Sequence, residues 1–540
     1  MPEVDSKSMD AVVFAITFRH LLKDATDLPI PRSDMALARL NSEQEAQLLL
    51  DRCVELVGFK VGEVSNAFAG LPVFFMSFPE PGFDYVGEAL NPYRRQSPRA
   101  FMRRLNERLA ELVSATPNGH LLECNEILNF VGRMHLQDDV LHASSHLSYI
   151  TDWDLTLDLS RMVPAEPNVG IFEYDKLCLD YGEVVWRTVA NRLKIIKQAR
   201  PVKLVIVDLD DTLWRGLAAE ETMSPWDRTE GWPMGFVESL LFFKQRGGLL
   251  AICSKNDEVP TLKRMEEFWK GAIAPEDFVS IKINWRPKSE NVAEILEETN
   301  LLPANTLFID DNPREIDEVR SRFGDLRCLG GRHYDWRRII LRSAETQVPV
   351  ITAESQNRTG LVRALVDRQQ LAKSMPRDEW LRSLDLEQYV FTVRDTSDAH
   401  FERVFELINK TNQFNTNGKR WTLGEITEFF RAGGVCIGTS LKDKTADNGI
   451  IGVSLVANGE IVQSVLSCRV FGLGAEKVMG RFATLIALGQ KPEATARIVD
   501  TGKNFACHSF FENIGFTRRG DHFAAAAACA TPEWIKVTQV

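Results

Sequence analysis

The run Lys203-Leu204-Val205-Ile206-Val207-Asp208-Leu209-Asp210-Asp211-Thr212 constrains the fold more than any other stretch. Four successive aliphatic residues, Leu204 to Val207, read as a strand buried on both faces, the kind found inside a parallel sheet. Aspartates at its carboxyl end cannot be buried without partners, so this strand must deliver them to a cleft. The residues that follow keep to that frame. Strand-like "LLAICS", "DFVSIKI", "NTLFIDD" and "DLRCL" alternate with helical "DEVPTLKRMEEFWK", "SENVAEILEETN" and "EIDEVRSRF". This is the pattern of a doubly wound α/β sheet, and it ends near Gln347-Val348-Pro349.

A chain of 540 residues is too long for one hydrophobic core, so an α/β multidomain protein is expected. We divide it into 1–180, where "LPVFFMSF" and "SPRAFMRRLNERLAELVSA" alternate as strand and helix, the aspartate-bearing unit 181–350, a helical connector 351–385, and a last unit 386–540. The last unit changes texture. Its strands "GVCIGTS" and "GIIGVSLVANGEIVQSVLSCRV" look antiparallel, with Asn458-Gly459 as a hairpin turn. Lys and Arg number 64 against 75 Asp and Glu, a net charge of -11, which disfavours nucleic acid and anionic membranes as partners. Nine cysteines scattered through apolar runs suit reduced thiols rather than a disulfide framework. No run approaches the roughly 18 apolar residues of a membrane span, and the start lacks a signal-peptide pattern. A cytoplasmic location is the expectation.

In an open α/β sheet the polar residues that end neighbouring strands converge. Here they are Asp208 and Asp210, then Ser254, then Asp310 and Asp311, with Lys288 just after "DFVSIKI". A carboxylate cluster without His or Cys ligands prefers a hard, oxygen-bound cation, which means Mg2+ rather than zinc. A hydroxyl and an ammonium beside it suit the remaining charge of a phosphate. Either aspartate motif alone reads as readily as a helix cap or a strand-to-turn stop. All four motifs in order point to phosphoryl chemistry.

That order resembles the haloacid dehalogenase superfamily over residues 200–345. The resemblance implies that Asp208 is a nucleophile and metal ligand, and that Asp210 is a general acid and base that also lends its backbone carbonyl to the metal. It makes Ser254 and Lys288 phosphate binders and Asp310 a metal ligand, with Asp311 a second candidate ligand or an orienter of metal-bound water. "LWRG", "AICSKNDE", "WRPKSEN", "FIDDNPRE" and "INKTNQFNTNGKRWT" are similar to the FkbH-like branch of that superfamily over nearly the whole chain. This narrower resemblance implies an N-terminal SGNH-hydrolase-like α/β domain, a central Rossmann-like domain and a C-terminal GNAT-like α+β domain. The implied activity is removal of phosphate from 1,3-bisphosphoglycerate with transfer of its D-glyceryl group to the phosphopantetheine thiol of an acyl carrier protein. Two other functions compete with it, a phosphatase of a small phosphorylated metabolite and a carrier-docking scaffold with a vestigial site.

Several further residues carry expectations of their own. "RVFGLGA" sets Arg469, Gly472 and Gly474 in a pattern like the glycine-rich turn with which GNAT acyltransferases offer backbone amides to a pyrophosphate, and a pantetheine arm is the natural guest. The segment "TNQFNTNGKR" offers Asn412, Gln413, Asn415 and Arg420 either to substrate or carrier, or to solvent as a surface loop. An acyl-enzyme would need a thiol, for which Cys253, Cys468 and Cys507 are the candidates; strand alternation turns Cys253 away from Ser254 and favours inert core. Arg215 stands where the family more often has glycine, as an extra phosphate clamp or a surface residue. Asp139 and His142 reproduce the Asp-x-x-His spacing of SGNH hydrolases without a Gly-Asp-Ser nucleophile, so that unit reads as non-hydrolytic scaffold or docking surface, with His146 structural.

Overall fold

The structure, a computed structural model, describes residues 9–25, 37, 42–82, 87, 89–91, 93–95, 97–133, 179–220, 223–351, 357–372, 374–444 and 446–540. They fall into two compact units, residues 1–193 with 422–426 and residues 194–421 with 427–540.

In the first unit β1 (Val12–Ala15), β2 (Val73–Met76) and β3 (Gly119–Leu122) form a parallel sheet in sequence order. The helices Glu43–Ala67 and Pro98–Ser114 start where Ser42 and Ser97 accept hydrogen bonds from the amides of Glu45 and Ala100, satisfying donors that a helix start leaves open. Every residue of β2 is buried, and Phe75 packs in one apolar cluster with Phe18, Val57 and Phe101. Asp139, His142 and His146 lie in residues 134–178, outside the described residues.

The second unit holds two sheets. The first is parallel, five-stranded and ordered β6-β5-β4-β7-β8, with β4 (Leu204–Val207), β5 (Leu249–Ser254), β6 (Phe278–Ile283), β7 (Thr306–Ile309) and β8 (Arg327–Leu329). Its central strand β4 is buried at every position because an apolar layer covers each face. Val205 and Val207 meet Phe236, Leu240 and Trp336 on one side; Leu204 and Ile206 meet Val292, Ile295 and Val319 on the other. From β4 the chain winds outward through β5 and β6, then returns to β7 on the opposite flank of β4. The switch point of the sheet therefore lies between β4 and β7, at the carboxyl ends that carry Asp208 and Asp310.

The helices Arg358–Ala372 and Arg377–Ser383 lead to an eight-stranded sheet, ordered β14-β15-β13-β12-β11-β10-β9-β16. Its strands are β9 (Leu386–Val393), β10 (Val435–Lys442), β11 (Asp447–Ala457), β12 (Glu460–Leu466), β13 (Ala494–Ala496), β14 (Thr517–Arg519), β15 (His522–Ala525) and β16 (Ile535–Gln539). Most neighbours are antiparallel, but β12 with β13 and β16 with β9 are parallel, so the sheet is mixed where the strand pattern suggested antiparallel pairing alone. Asn458 and Gly459 join β11 to β12 with φ of 52 and 76, the paired left-handed residues of a tight hairpin turn.

The strands β12 and β13 pair only at Glu460↔Thr495 and Ile461↔Ala496. Beyond that point the amide-rich segment 414–417 takes the edge of β12. The Leu466 amide donates to Phe414 O at 3.1 Å and the Thr416 amide to Ser464 O at 3.1 Å. Asn415 and Thr416 are fully buried in the split. Among the described residues no helix is long and apolar enough to cross a membrane.

Candidate active site

Asp208 leaves the carboxyl end of β4 with its amide donating to Ile309 O at 3.0 Å, so the backbone ladder fixes it beside β7. Asp310 leaves β7 at the same level, and Lys288 opens the helix Lys288–Thr299 next to β6. A cation at a helix N-terminus opposes the helix dipole, so helix stability does not explain this lysine. Its partners do. Lys288 Nζ donates to Asp310 Oδ2 at 2.6 Å and lies 3.0 Å from Asp208 Oδ1, with all three side chains almost entirely out of solvent. Burial pulls the Lys288 ammonium down, but the two carboxylates outweigh it and hold the group above the ordinary lysine range. Burial, then the neighbouring charge of Asp208, pushes Asp310 up to about 7 against the pull of Lys288.

Asp311 completes the acidic group. One carboxylate oxygen from each of Asp208, Asp310 and Asp311 lies within 4.8 Å of the others, close enough to share a cation. The Asp311 amide donates to Thr212 Oγ1 at 3.2 Å, which ties the end of β7 to the turn after β4. Burial, followed by the charges of Asp208 and Asp211, raises the Asp311 carboxyl. Asp208 Oδ1 is buried and, among the described residues, meets only the Lys288 ammonium at 3.0 Å, with no further hydrogen bond. A buried carboxylate oxygen in that condition is what a hard cation with oxygen ligands would satisfy, and the donor set is oxygen throughout. The three carboxylates fit Mg2+.

Asp210 stands apart from that group. Its Oδ1 accepts from Trp214 Nε1 at 2.9 Å and from the Ala218 amide at 2.8 Å, and its Oδ2 from Asn256 Nδ2 at 3.0 Å. Burial nevertheless raises its carboxyl, against these three donors. Ser254, the last residue of β5, is buried, and its Oγ accepts from the same Asn256 amide at 3.2 Å. Asn256 thus couples Ser254 to Asp210. It sits two residues beyond the strand-ending serine in "SKND" and was missed because an asparagine there also reads as an ordinary turn residue.

The segment after Asp210 folds over this end of the sheet. Asp211 has a left-handed backbone, φ 48, and its side chain accepts from the Gly216 amide at 2.7 Å. His333 Nε2 donates to Asp211 O at 2.7 Å, with its ring against Trp232 and Trp336. Arg215 NH1 donates to Asp227 O at 2.9 Å, and its guanidinium lies over the Trp232 ring, so Arg215 braces this segment. Arg228 is buried beneath it and donates to the carbonyls of Arg215 and Leu217 at 2.9 Å and to that of Glu220.

The remaining candidates lie elsewhere. Cys253 faces the apolar layer around Val292 and Ile295, and burial pushes its thiol far up. Cys507 is buried, donates to Asn504 O at 3.1 Å, and has its thiol pushed up to about 11 by burial. Cys468 is half-buried in the turn after β12. Arg469 NH2 donates to Asn448 O and, at 3.1 Å, to Ile450 O, which makes it a brace of that turn. Gly472 and Gly474 have φ of 80 and 90, and the helix Ala475–Gln490 starts directly behind them. Trp534 and Pro532 crowd Gly474, and Trp534 Nε1 donates to Leu473 O at 2.8 Å. Asn415 accepts from Gly418 and Gln463, and Arg420 donates to Ile408 O, Thr411 O and Asn412. The amide-rich segment is therefore an interior scaffold, with Asn412 and Gln413 on the wall of a cavity at the amino ends of the parallel strands.

No family model and no curated protein matches the chain. Among solved structures it is similar to the N-terminal part of the protein BF1531 from Bacteroides fragilis, which contains a phosphatase domain and is complexed with Mg. The TM-score is 0.40 at 19% identity, over 62% of this chain and 80% of that one. It is also similar to 3-deoxy-D-manno-octulosonate 8-phosphate phosphatase from Moraxella catarrhalis, in complex with a magnesium ion, a phosphate ion and KDO. There the TM-score is 0.20 at 16% identity, over 28% of this chain and 92% of that one.

Proposed function

We propose that this chain is a Mg2+-dependent enzyme of haloacid dehalogenase type that moves a phosphoryl group from a small phosphorylated metabolite through Asp208. The observation that carries the reading is the meeting of Asp208, Asp310 and Asp311 with Lys288, in which, among the described residues, Asp208 Oδ1 meets only the Lys288 ammonium. Mg2+ held by these three carboxylates would neutralise phosphoryl oxygens and let Asp208 approach an anionic substrate. Lys288 and the Ser254 hydroxyl then bind the phosphate oxygens.

Asp208 attacks phosphorus with a carboxylate oxygen, and the bond from phosphorus to the leaving oxygen breaks. Asp210 delivers a proton to that oxygen. Its raised pKa suits the task, and Oδ2, which has one donor against two on Oδ1, is the better oxygen to hold the proton. Water next attacks the aspartyl phosphate, gives its proton to Asp210 and releases inorganic phosphate. Asn256 keeps Asp210 and Ser254 in register through both steps.

A finer reading makes the substrate 1,3-bisphosphoglycerate and the product a D-glyceryl thioester. The same residues bind the phosphate, the pantetheine thiolate of an acyl carrier protein attacks the acyl carbon, and phosphate departs. Its support is the C-terminal sheet, which shares one compact unit with the Asp208 sheet, and the positive-φ glycine turn of "RVFGLGA". Cys253 and Cys507 are poor acyl carriers because burial disfavours their thiolates. Direct attack by the carrier thiol on the acyl carbon would leave Asp208 a metal ligand only, so this finer reading and the aspartyl phosphate are alternative fates of the same acyl phosphate.

Kinetics test the reading. With 1,3-bisphosphoglycerate and Mg2+, wild type should release phosphate, and a holo carrier protein should gain a glyceryl mass while the apo carrier does not. Asp208→Asn, or wild type in excess chelator, should lose phosphate release by about a thousandfold or more. Phosphate release at the wild-type rate from either one would overturn the mechanism. Release without any acyl mass on the carrier would leave the phosphatase and remove the transferase.

A further inference from the structure

A cavity of about 110 Å³ opens beneath the amino ends of β4, β5 and β7, between them and the C-terminal sheet of the same unit. Six basic side chains line it, Lys203, Arg246, Arg358, Arg403, Lys410 and Arg469, and Glu406 is the single carboxylate among the described lining residues. Glu406 is already shared by Arg403, at 2.6 Å, and Lys410. Among the described residues Lys203 Nζ donates to Lys410 O at 2.6 Å and Arg358 NH1 to Gly247 O at 2.8 Å, so both cations meet carbonyl dipoles and no carboxylate. Half-buried cations gathered this way repel one another where water screens them only in part. Burial, then the charge of Arg358, pulls Lys203 down to about 7, and burial likewise lowers Arg358 and Lys410.

We propose that this cavity is a second anion site, built for a phosphate or phosphoester group and separate from the one at Asp208. Lys203 immediately precedes β4 and Asp208 immediately follows it, and five residues of extended chain place the two about 16 Å apart, at opposite ends of the sheet. One group cannot occupy both places. An Arg guanidinium and Lys ammonium groups are the donors that phosphate oxygens select, and the cavity exceeds the space of a single water. Asn412, Gln413 and Ser467 on the same wall can hydrogen-bond whatever the phosphate is attached to. The occupant is either a free phosphate-bearing metabolite or the phosphoester at the root of a thiol-bearing arm.

Cys468 is half-buried on the cavity wall and reports occupancy. The rate of its modification by a small thiol reagent, followed by mass spectrometry of its peptide, should fall about tenfold or more and saturably as inorganic phosphate is added at constant ionic strength. A parallel series with 4′-phosphopantetheine separates the two sources. Protection at much lower concentration by phosphopantetheine assigns the site to the arm, and equal protection assigns it to free phosphate. Arg358→Gln and, independently, Lys203→Gln should weaken protection about tenfold while Mg2+-dependent phosphate release persists, which also shows that they fold. Asp208→Asn should keep protection intact, so failure here and failure at Asp208 are told apart. A Cys468 rate unchanged by saturating amounts of both compounds, or unchanged protection in both cavity variants, would overturn the proposal.

Discussion

Three carboxylates that share one ammonium leave a costly excess of negative charge, and among the described residues Asp208 Oδ1 has only Lys288, at 3.0 Å, against two further acids. The cost is offset once a cation binds, which makes metal affinity depend on which of these acids carry protons. Asp310, raised to about 7, must be deprotonated to serve as a ligand. Below its folded pKa a proton competes with the metal, and above it the competition ends. Mg2+ affinity, measured by titration calorimetry, should therefore fall about tenfold between pH 8 and pH 6. Affinity flat across that range would contradict the assignment of Asp310 as a ligand. At this scale the sequence was informative about residues that end strands, since Asp208, Ser254 and Asp310 are placed by the register of β4, β5 and β7. It was silent about residues that act through a partner. Asn256 and Thr212 matter because of where Asp210, Ser254 and Asp311 sit in space, and no periodicity encodes that.

Arg228 shows how one element is held by a group that looks out of place. A buried guanidinium donates to the carbonyls of Arg215, Leu217 and Glu220 and lies over the Phe268 ring, so it takes the place of a strand or helix partner for residues 215–220. Arg228→Met keeps the bulk but removes the donor from Arg215 O and Glu220 O, while Leu217 O keeps the Glu220 amide at 3.1 Å, and it should destabilise the unit by about 3 kcal/mol. Hydrogen exchange at 215–220 should rise in that variant more than exchange in β4. Equal exchange in both would show that Arg228 does not brace the segment. The alternating strands and helices from 203 to 329 were legible because buried parallel strands have a distinctive apolar run, and the Asn458-Gly459 hairpin because its turn demands two left-handed residues. The segment 411–420 was not. Polar side chains suggested contact with solvent, substrate or carrier, whereas hydrogen bonds to β12 and Gln463 let Asn415 and Thr416 lie buried.

Across the whole molecule the net charge of -11 conceals a strongly basic interior cavity. Lys203, Arg358 and Lys410 come from a strand entry and two helices far apart in sequence, so only the packing of the two sheets into one unit gathers them. The same packing sets a charged cluster at each end of one parallel sheet, carboxylates with Lys288 at its carboxyl edge and arginines with lysines at its amino edge. A chain that handles a phosphorylated acyl donor and a phosphoester-tethered acceptor would need both.

The central claim is that Asp208 itself takes the phosphoryl group. Wild type mixed with 1,3-bisphosphoglycerate and Mg2+, acid-quenched within a turnover, digested and examined by mass spectrometry, should show one phosphoryl group on the peptide containing Asp208. That mass should be absent from Asp208→Asn and from enzyme quenched in chelator. Turnover with no phosphoryl mass on Asp208 at any quench time, or a phosphoryl group located on another residue, would contradict the account.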